Sequence, residues 1–219
     1  MGQIIDHTHG SYANLRQISK EHAHNGAYYY SREIVRNIIP KVETDRNWVT
    51  INRYGAGMDH AIVFIHNNLN PGKYEWLNRY MDLILVCGIP ETCPKVAHLG
   101  KTIYLPLSVD VAEIEKYKCK KTRDVAFCGR RSKAKNIPMG TDIIGGIDRA
   151  DFLQAMARYR KVYAVGRVAL EAKVLGCEIL PYDERFPDPE RWEVMDNSEA
   201  AYILQKKLDL IDGKAKLEK

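Results

Sequence analysis

The feature that most constrains this chain is an alternation of two periodicities. Short runs rich in Val and Ile recur along it, bounded by Gly, Pro, Asn or Asp. They are "QIID", "WVTIN", "AIVFIH", "LILVCG", "TIYLPL", "DVAFCG", "DIIGG", "KVYAVG" and "EILPYD". Each is too short for a helix and reads as a strand. Between them, helical patterns cover residues 12–22, 31–38, 73–79, 148–159, 168–175 and 198–210. Strands that alternate with helices predict α/β architecture, with parallel sheets covered on both faces. At "LPLSVDVAEIEKYKCKKTRD" an apolar strand gives way to a lysine-rich connector, and a fresh strand starts at Asp124. The expected arrangement is two small Rossmann-like, doubly wound lobes facing a cleft, where such folds take their ligands. The lobes span residues 1–110 and 111–197, and 198–219 form a helix and tail that begin at the capping pair Asn197-Ser198.

Composition narrows the class. Hydrophobic residues make up 45% and charged residues 28%, as in a folded globular domain. No apolar run approaches the length of a membrane span. The start "MGQIIDHTHG" carries no secretory pattern, and Asp6 stands where a myristoylation pattern has Ser or Thr. Five cysteines, Cys87, Cys93, Cys119, Cys128 and Cys177, form no C-x-x-C pair, which argues against a zinc knuckle or a redox dithiol. Three of them sit in apolar runs as small core residues. The expected compartment is a reducing cytoplasm. Lys and Arg exceed Asp and Glu by 33 to 28, a net charge of +5 that suits an anionic ligand or nucleic acid.

Two segments carry phosphate-binding chemistry. In "DVAFCGRRSKAKN" a buried strand ends at Gly129, and Arg130, Arg131, Lys133 and Lys135 follow. A glycine admits close backbone approach, and cations just past a strand's carboxyl end suit a diphosphate. The competing reading is a solvated basic loop. In "VGRVALEAKVLGCEILPYD", Gly166 separates a strand from a helix whose first residues are Arg167 and Val168. The N–H groups and positive dipole end of that helix can hold a phosphate. Alone, the segment is equally an ordinary crossover. Glu171, one turn on, is either an acceptor for sugar hydroxyls or an exposed helix glutamate.

Together these motifs resemble the nucleotide-sugar lobe of the GT-B glycosyltransferases, in particular the retaining family that includes glycogen synthases. Gly129, Arg130 and Lys135 match the spacing with which that family grips the donor diphosphate. Gly146 and Ile147 in "GGIDRADFLQAMARY" match its later G-x-V. "VALEAKVLG" matches the second half of its paired-glutamate motif and places Glu171 on the donor ribose. The first glutamate of that pair falls at Tyr163, so the acidic contact to the donor sugar is missing. The similarity spans residues 124–183. In the first lobe, His66 after "AIVFI" resembles a family histidine that reaches the donor sugar, and Pro106, Val109 and Asp110 match a P-x-x-V-D junction. A histidine at a strand end also serves as a plain structural hydrogen-bonding residue.

The resemblance implies a metal-independent hexosyltransferase. Its donor is a UDP- or GDP-linked sugar, it needs no separate cofactor, and its acceptor is unidentified, with DNA permitted by the charge. The first lobe is then the acceptor side, and Asp6 and His9 in the first loop join His66 as catalytic candidates. Two alternatives stay open. Asp6, His7 and His9 form an H-x-H cluster like that of metal-dependent hydrolases, with His66 the one other histidine well placed to complete it. The chain is short for the (β/α)₈ barrel usual to that chemistry. The other alternative is a non-catalytic binder of nucleotides or nucleic acid. Tyr28-Tyr29-Tyr30 beside Arg32 and Arg36 suits base stacking as well as it suits a partly buried helix face.

Overall fold

A computed structural model of the chain describes residues 4–5, 26–50, 58–65, 71–129, 137, 139–181 and 188–214. Each of the nine expected strands is present: β1 Ile4–Ile5, β2 Asn47–Val49, β3 Ala61–Ile65, β4 Ile84–Cys87, β5 Lys101–Tyr104, β6 Arg123–Cys128, β7 Asp142–Ile144, β8 Tyr159–Tyr163 and β9 Glu178–Leu180. The helices are α1 Gly26–Glu33, α2 Cys93–Val96, α3 Val111–Glu115, α4 Arg149–Met156, α5 Arg167–Val174 and α6 Asn197–Ile211. The helix expected at 12–22 lies outside the described residues. The chain divides into two compact units. One holds Ala27–Leu107 and resumes at Asn197; the other contains Ser108–Asp196.

The first unit carries a parallel sheet in the order β1-β2-β3-β4-β5. All five residues of β3 are buried, so the sheet is covered on both faces. Ala61, Val63 and Ile65 pack with Leu85, Cys87 and the segment after β3. On the alternate positions Trp48 stacks on Phe64, with ring centroids 6.3 Å apart. The expected helix at 73–79 is a 3₁₀ helix, Pro71–Arg79. Its three-residue period stacks Tyr74 and Leu77 on one side, and both enter the core. The pattern at 31–38 resolves into α1 followed by a π turn, Ile34–Ile38, which buries Ile34 and Ile38.

Strand order corrects one expectation. A doubly wound sheet reverses direction, yet among the described strands the first sheet never does, because β1 pairs beside β2 at the edge. The second sheet, β7-β6-β8-β9, does reverse: β7 lies on one side of β6, and β8 and β9 on the other. Crossovers from β7 to β8 and from β8 to β9 then run the same way, and right-handed connection puts α4 and α5 on one face. The helix expected at 148–159 ends early, at Met156, because Tyr159 is taken into β8 opposite Arg123. The Tyr159 hydroxyl donates to Asp142 Oδ2 at 2.7 Å, which fixes β8 and β7 against the ends of β6. Lys121 closes the opposite ends of both helices. Its Nζ donates to Ala157 O at 3.0 Å and Leu175 O at 2.8 Å.

The final helix, α6, returns to the first unit. Gln205 Nε2 donates to Glu43 O, and Glu43 N donates back to Gln205 Oε1 at 2.6 Å. Beyond the helix end, Asp212 accepts from the buried Arg46 at 3.0 Å, and Arg46 also donates to Asp82 at 2.9 Å. His60 Nδ1 lies 2.6 Å from the same Asp82 carboxylate. His60 and Asp82 both hold positive φ, 53° and 52°, a conformation that costs a side-chain-bearing residue about 1 kcal/mol. The hydrogen bond from His60, with help from Arg46, holds the Asp82 carboxyl below its ordinary pKa of 3.8. A depressed folded pKa adds stability above the ordinary value and loses it as pH falls through the folded one. The thermal midpoint of the first unit should therefore drop on acidification below the ordinary carboxylate range, and Asp82→Asn should flatten that drop.

Gly100 tests the packing independently of charge. A Cβ there would sit 2.5 Å from the backbone carbonyl of Leu83, which also accepts from Lys101 N. Gly100→Ala is expected to cost about 1–3 kcal/mol in urea unfolding, since backbone must move to admit the methyl.

Candidate phosphate site at the carboxyl edge of the second sheet

The site is assembled by one strand pair. Phe127 of β6 is register partner to Tyr163 of β8, so the two strands end together. Gly129 follows β6 by one residue, and Gly166 follows β8 by three. Segments 36 positions apart in sequence are thereby brought to the carboxyl edge at the point where strand order reverses, the position at which open α/β sheets take ligands.

Backbone conformation there requires glycine. Gly129 has φ 141° and donates its N–H to Ile144 O at 2.9 Å. Gly166, the residue before α5, has φ 61° and ψ −138°, a region that essentially only glycine occupies. Its carbonyl accepts from Ala169 N at 3.0 Å and Leu170 N at 3.3 Å. The N–H groups of Arg167 and Val168 precede these bonds, at the positive end of an eight-residue helix. Tyr163, where the family has its first glutamate, is the half-buried last residue of β8, paired with Phe127 and Leu180.

Glu171 fits neither description that the sequence offered. Its side chain is 1% exposed, so it is not a surface glutamate. Both carboxylate oxygens face the guanidinium of Arg149, the first residue of α4: Nη1 donates to Oε2 at 2.6 Å, and Nη2 donates to Oε1. Arg167 Nε lies 3.0 Å from Oε1. A carboxylate so engaged does not present itself to ribose hydroxyls. It serves instead as the counter-ion that holds two arginines beside the N-terminus of α5. One carboxylate against two guanidiniums leaves the trio with a net charge of +1, in a setting where burial strengthens each interaction.

Arg149 is the residue that motif reading missed. It lies in "GGIDRADF", within a segment matched for its glycine, and no spacing rule connects it to a glutamate 22 positions on. The burial of Glu171 did leave a trace. Ala169, Leu170, Ala172 and Val174 surround it, and a helix that is apolar on nearly every side is a buried one.

The other expected site residues lie outside the described residues: Asp6, His7, His9, His66, Arg130 and Lys135. Among the expected junction residues, Asp110 caps α3, its Oδ1 accepting from Glu113 N at 2.9 Å. Gly146 has φ 72°, and Ile147 beside it is exposed. Cys128 and Cys177 are buried, as expected of core thiols, and burial pushes both thiols up in pKa. No group of His, Cys, Asp and Glu arranged to hold a metal ion occurs among the described residues. A hollow on the first unit, lined by Lys41, Glu43, Gln205, Asp209 and Lys214, is occupied by its own hydrogen bonds; Gln205 bridges Glu43 and Asp209.

Comparison with protein-family models, with curated proteins and with solved structures returns no match.

The buried trio yields a stability test. Glu171→Gln removes the charge that balances Arg149 and Arg167 while keeping the side-chain shape. It is expected to cost about 3 kcal/mol, the scale for breaking one side of a buried ion pair. Urea unfolding of the variant against wild type measures it, and a loss under a few tenths of a kcal/mol would contradict the geometry.

Proposed function

We propose that the chain is a metal-independent glycosyltransferase of the GT-B type, which moves a sugar from a UDP- or GDP-linked donor. The observation that carries this reading is the meeting of two glycine turns and two arginines at one sheet edge, at the reversal of strand order. That combination suits a diphosphate. A helix N-terminus supplies oriented N–H donors, and glycine backbone admits an oxygen where a Cβ would block it. Arg149 and Arg167 add positive charge that Glu171 balances only in part.

The chemistry follows from where charge develops. When the bond between the sugar's anomeric carbon and the diphosphate breaks, negative charge gathers on the departing phosphate oxygens. Donors fixed in place before the reaction stabilise that charge at no cost in reorganisation. In this reading Arg130 and Lys135, which follow Gly129 in the chain, contact the phosphates directly. Glu171 acts through the arginines it positions rather than on the ribose.

Isothermal calorimetry with UDP and with GDP tests the reading. Wild type should bind at least one of them, and Arg130→Ala combined with Lys135→Ala should weaken binding about tenfold or more, the loss expected for charge-assisted phosphate contacts. Absence of binding to both nucleotides, or unchanged binding by the double variant, would overturn it. Release of free nucleoside diphosphate from a nucleotide sugar then separates a transferase or hydrolase from a passive binder.

A further inference from the structure

The second inference concerns the first unit and stands apart from the donor site. Cys87 is the last residue of β4, and Cys93 is the first residue of α2; only the turn of 88–92 separates them. By spacing they form no familiar redox motif, yet the fold brings them together. Cys87 is fully buried in the core cluster under the sheet, and Cys93 packs against that same cluster from its half-buried position. The two thiols are hydrogen-bonded to each other, and burial with this neighbour raises the Cys87 thiol. The turn between them is compact: Thr92 is buried and its N–H donates to Ile89 O at 3.1 Å, and a Cβ on Gly88 would meet Leu107 at 2.7 Å. Both thiols are free in this structure.

We propose that Cys87 and Cys93 form a reversible intramolecular disulfide that locks the turn at the carboxyl end of β4. Two features distinguish this pair from the other cysteines. Cys128 and Cys177 are both buried, without a solvent-reachable member. Cys119 is exposed and reactive, but only the Cys87 and Cys93 pair joins a reachable thiol to a buried one in direct contact. A peroxide first meets Cys93. The Cys93 sulfur attacks one peroxide oxygen, the O–O bond breaks, and a sulfenic acid and one water result. The Cys87 sulfur then attacks the sulfenic sulfur, an S–S bond forms, and the S–O bond breaks. The departing hydroxide takes the Cys87 proton and leaves as a second water. The sum is two thiols and one peroxide giving one disulfide and two waters. A dithiol reductant returns both protons and reopens the turn by thiol–disulfide exchange.

Because β4 runs parallel with β3 and β5, its carboxyl end lies on the ligand-facing edge of an open α/β sheet. A covalent tie across 88–92 fixes the shape of that edge in one oxidation state and leaves it adjustable in the other.

The experiment needs no substrate. Cleavage after Arg79 and Lys95 places both cysteines in one tryptic peptide, Tyr80 to Lys95. Reduced, folded protein is treated with hydrogen peroxide, quenched with a maleimide under denaturing conditions, digested and weighed. The expected product is the Tyr80 to Lys95 peptide lighter by two hydrogens, free of maleimide and restored by dithiothreitol. Cys93→Ser, which leaves the buried thiol in place, should keep Cys87 reduced and open to the maleimide. The proposal is overturned if Cys93 is oxidised to a sulfinate while Cys87 still takes up maleimide. It is equally overturned if the peptide closes no faster in folded protein than in urea-unfolded protein, since then the fold contributes nothing.

Discussion

The second unit depends on one strand pairing. β6 is flanked by β7 and β8, so the chain must leave β6 in one direction and come back past it in the other. That reversal puts two glycine turns side by side, and it puts α4 and α5 close enough for Arg149 to reach Glu171. Were β8 to pair outside β7 instead, the turns would lie a strand further apart and the ion pair would have no reason to form. The hydroxyl of Tyr159 secures the arrangement from the far end, between Asp142 of β7 and Arg123 of β6.

Charge burial follows from that frame. A carboxylate as enclosed as Glu171 is costly unless paired and hydrogen-bonded, and here the two oxygens meet a guanidinium in a two-pronged fit. The pair does more for position than for net stability, because desolvation offsets much of its attraction. Its consequence is geometric: Arg167 at the helix start and Arg149 from the neighbouring helix are held in place around one anion, which leaves cationic character at the edge of the sheet. The first unit shows the same logic with structural intent. Arg46, between Asp82 and Asp212, ties the chain beyond α6 to the turn before β4, and two residues in positive φ are tolerated there because the network holds them.

The strands were legible because their signal is local. Val and Ile runs bounded by turn residues identify a buried strand wherever it pairs, and each of the nine runs became one. Pairing order was not legible, because it depends on contacts between segments far apart in sequence; a doubly wound first sheet was the expectation, and its order proved to follow the chain. The 3₁₀ geometry at Pro71–Arg79 was hidden in the same way, since Tyr74 and Leu77 suit either helix type until a core selects one. At the site, the two glycines carried their meaning openly, as positions of unusual φ. Glu171 was assigned to a ligand because a family motif put it there, whereas its partner Arg149 can be found only in three dimensions. The cysteines show the converse: a spacing that matched no redox motif nonetheless became a contact once strand and helix packed.

The central claim is that the carboxyl edge of the second sheet holds the phosphates of a nucleotide. Amide hydrogen exchange with and without saturating UDP or GDP tests it most directly, because the proposed donors are backbone N–H groups at Gly129, Arg167 and Val168. The account predicts that bound nucleotide slows exchange in the segments around Gly129 and Gly166–Val168. Nucleotide that binds while those segments exchange unchanged, with protection confined to the first unit, would contradict it.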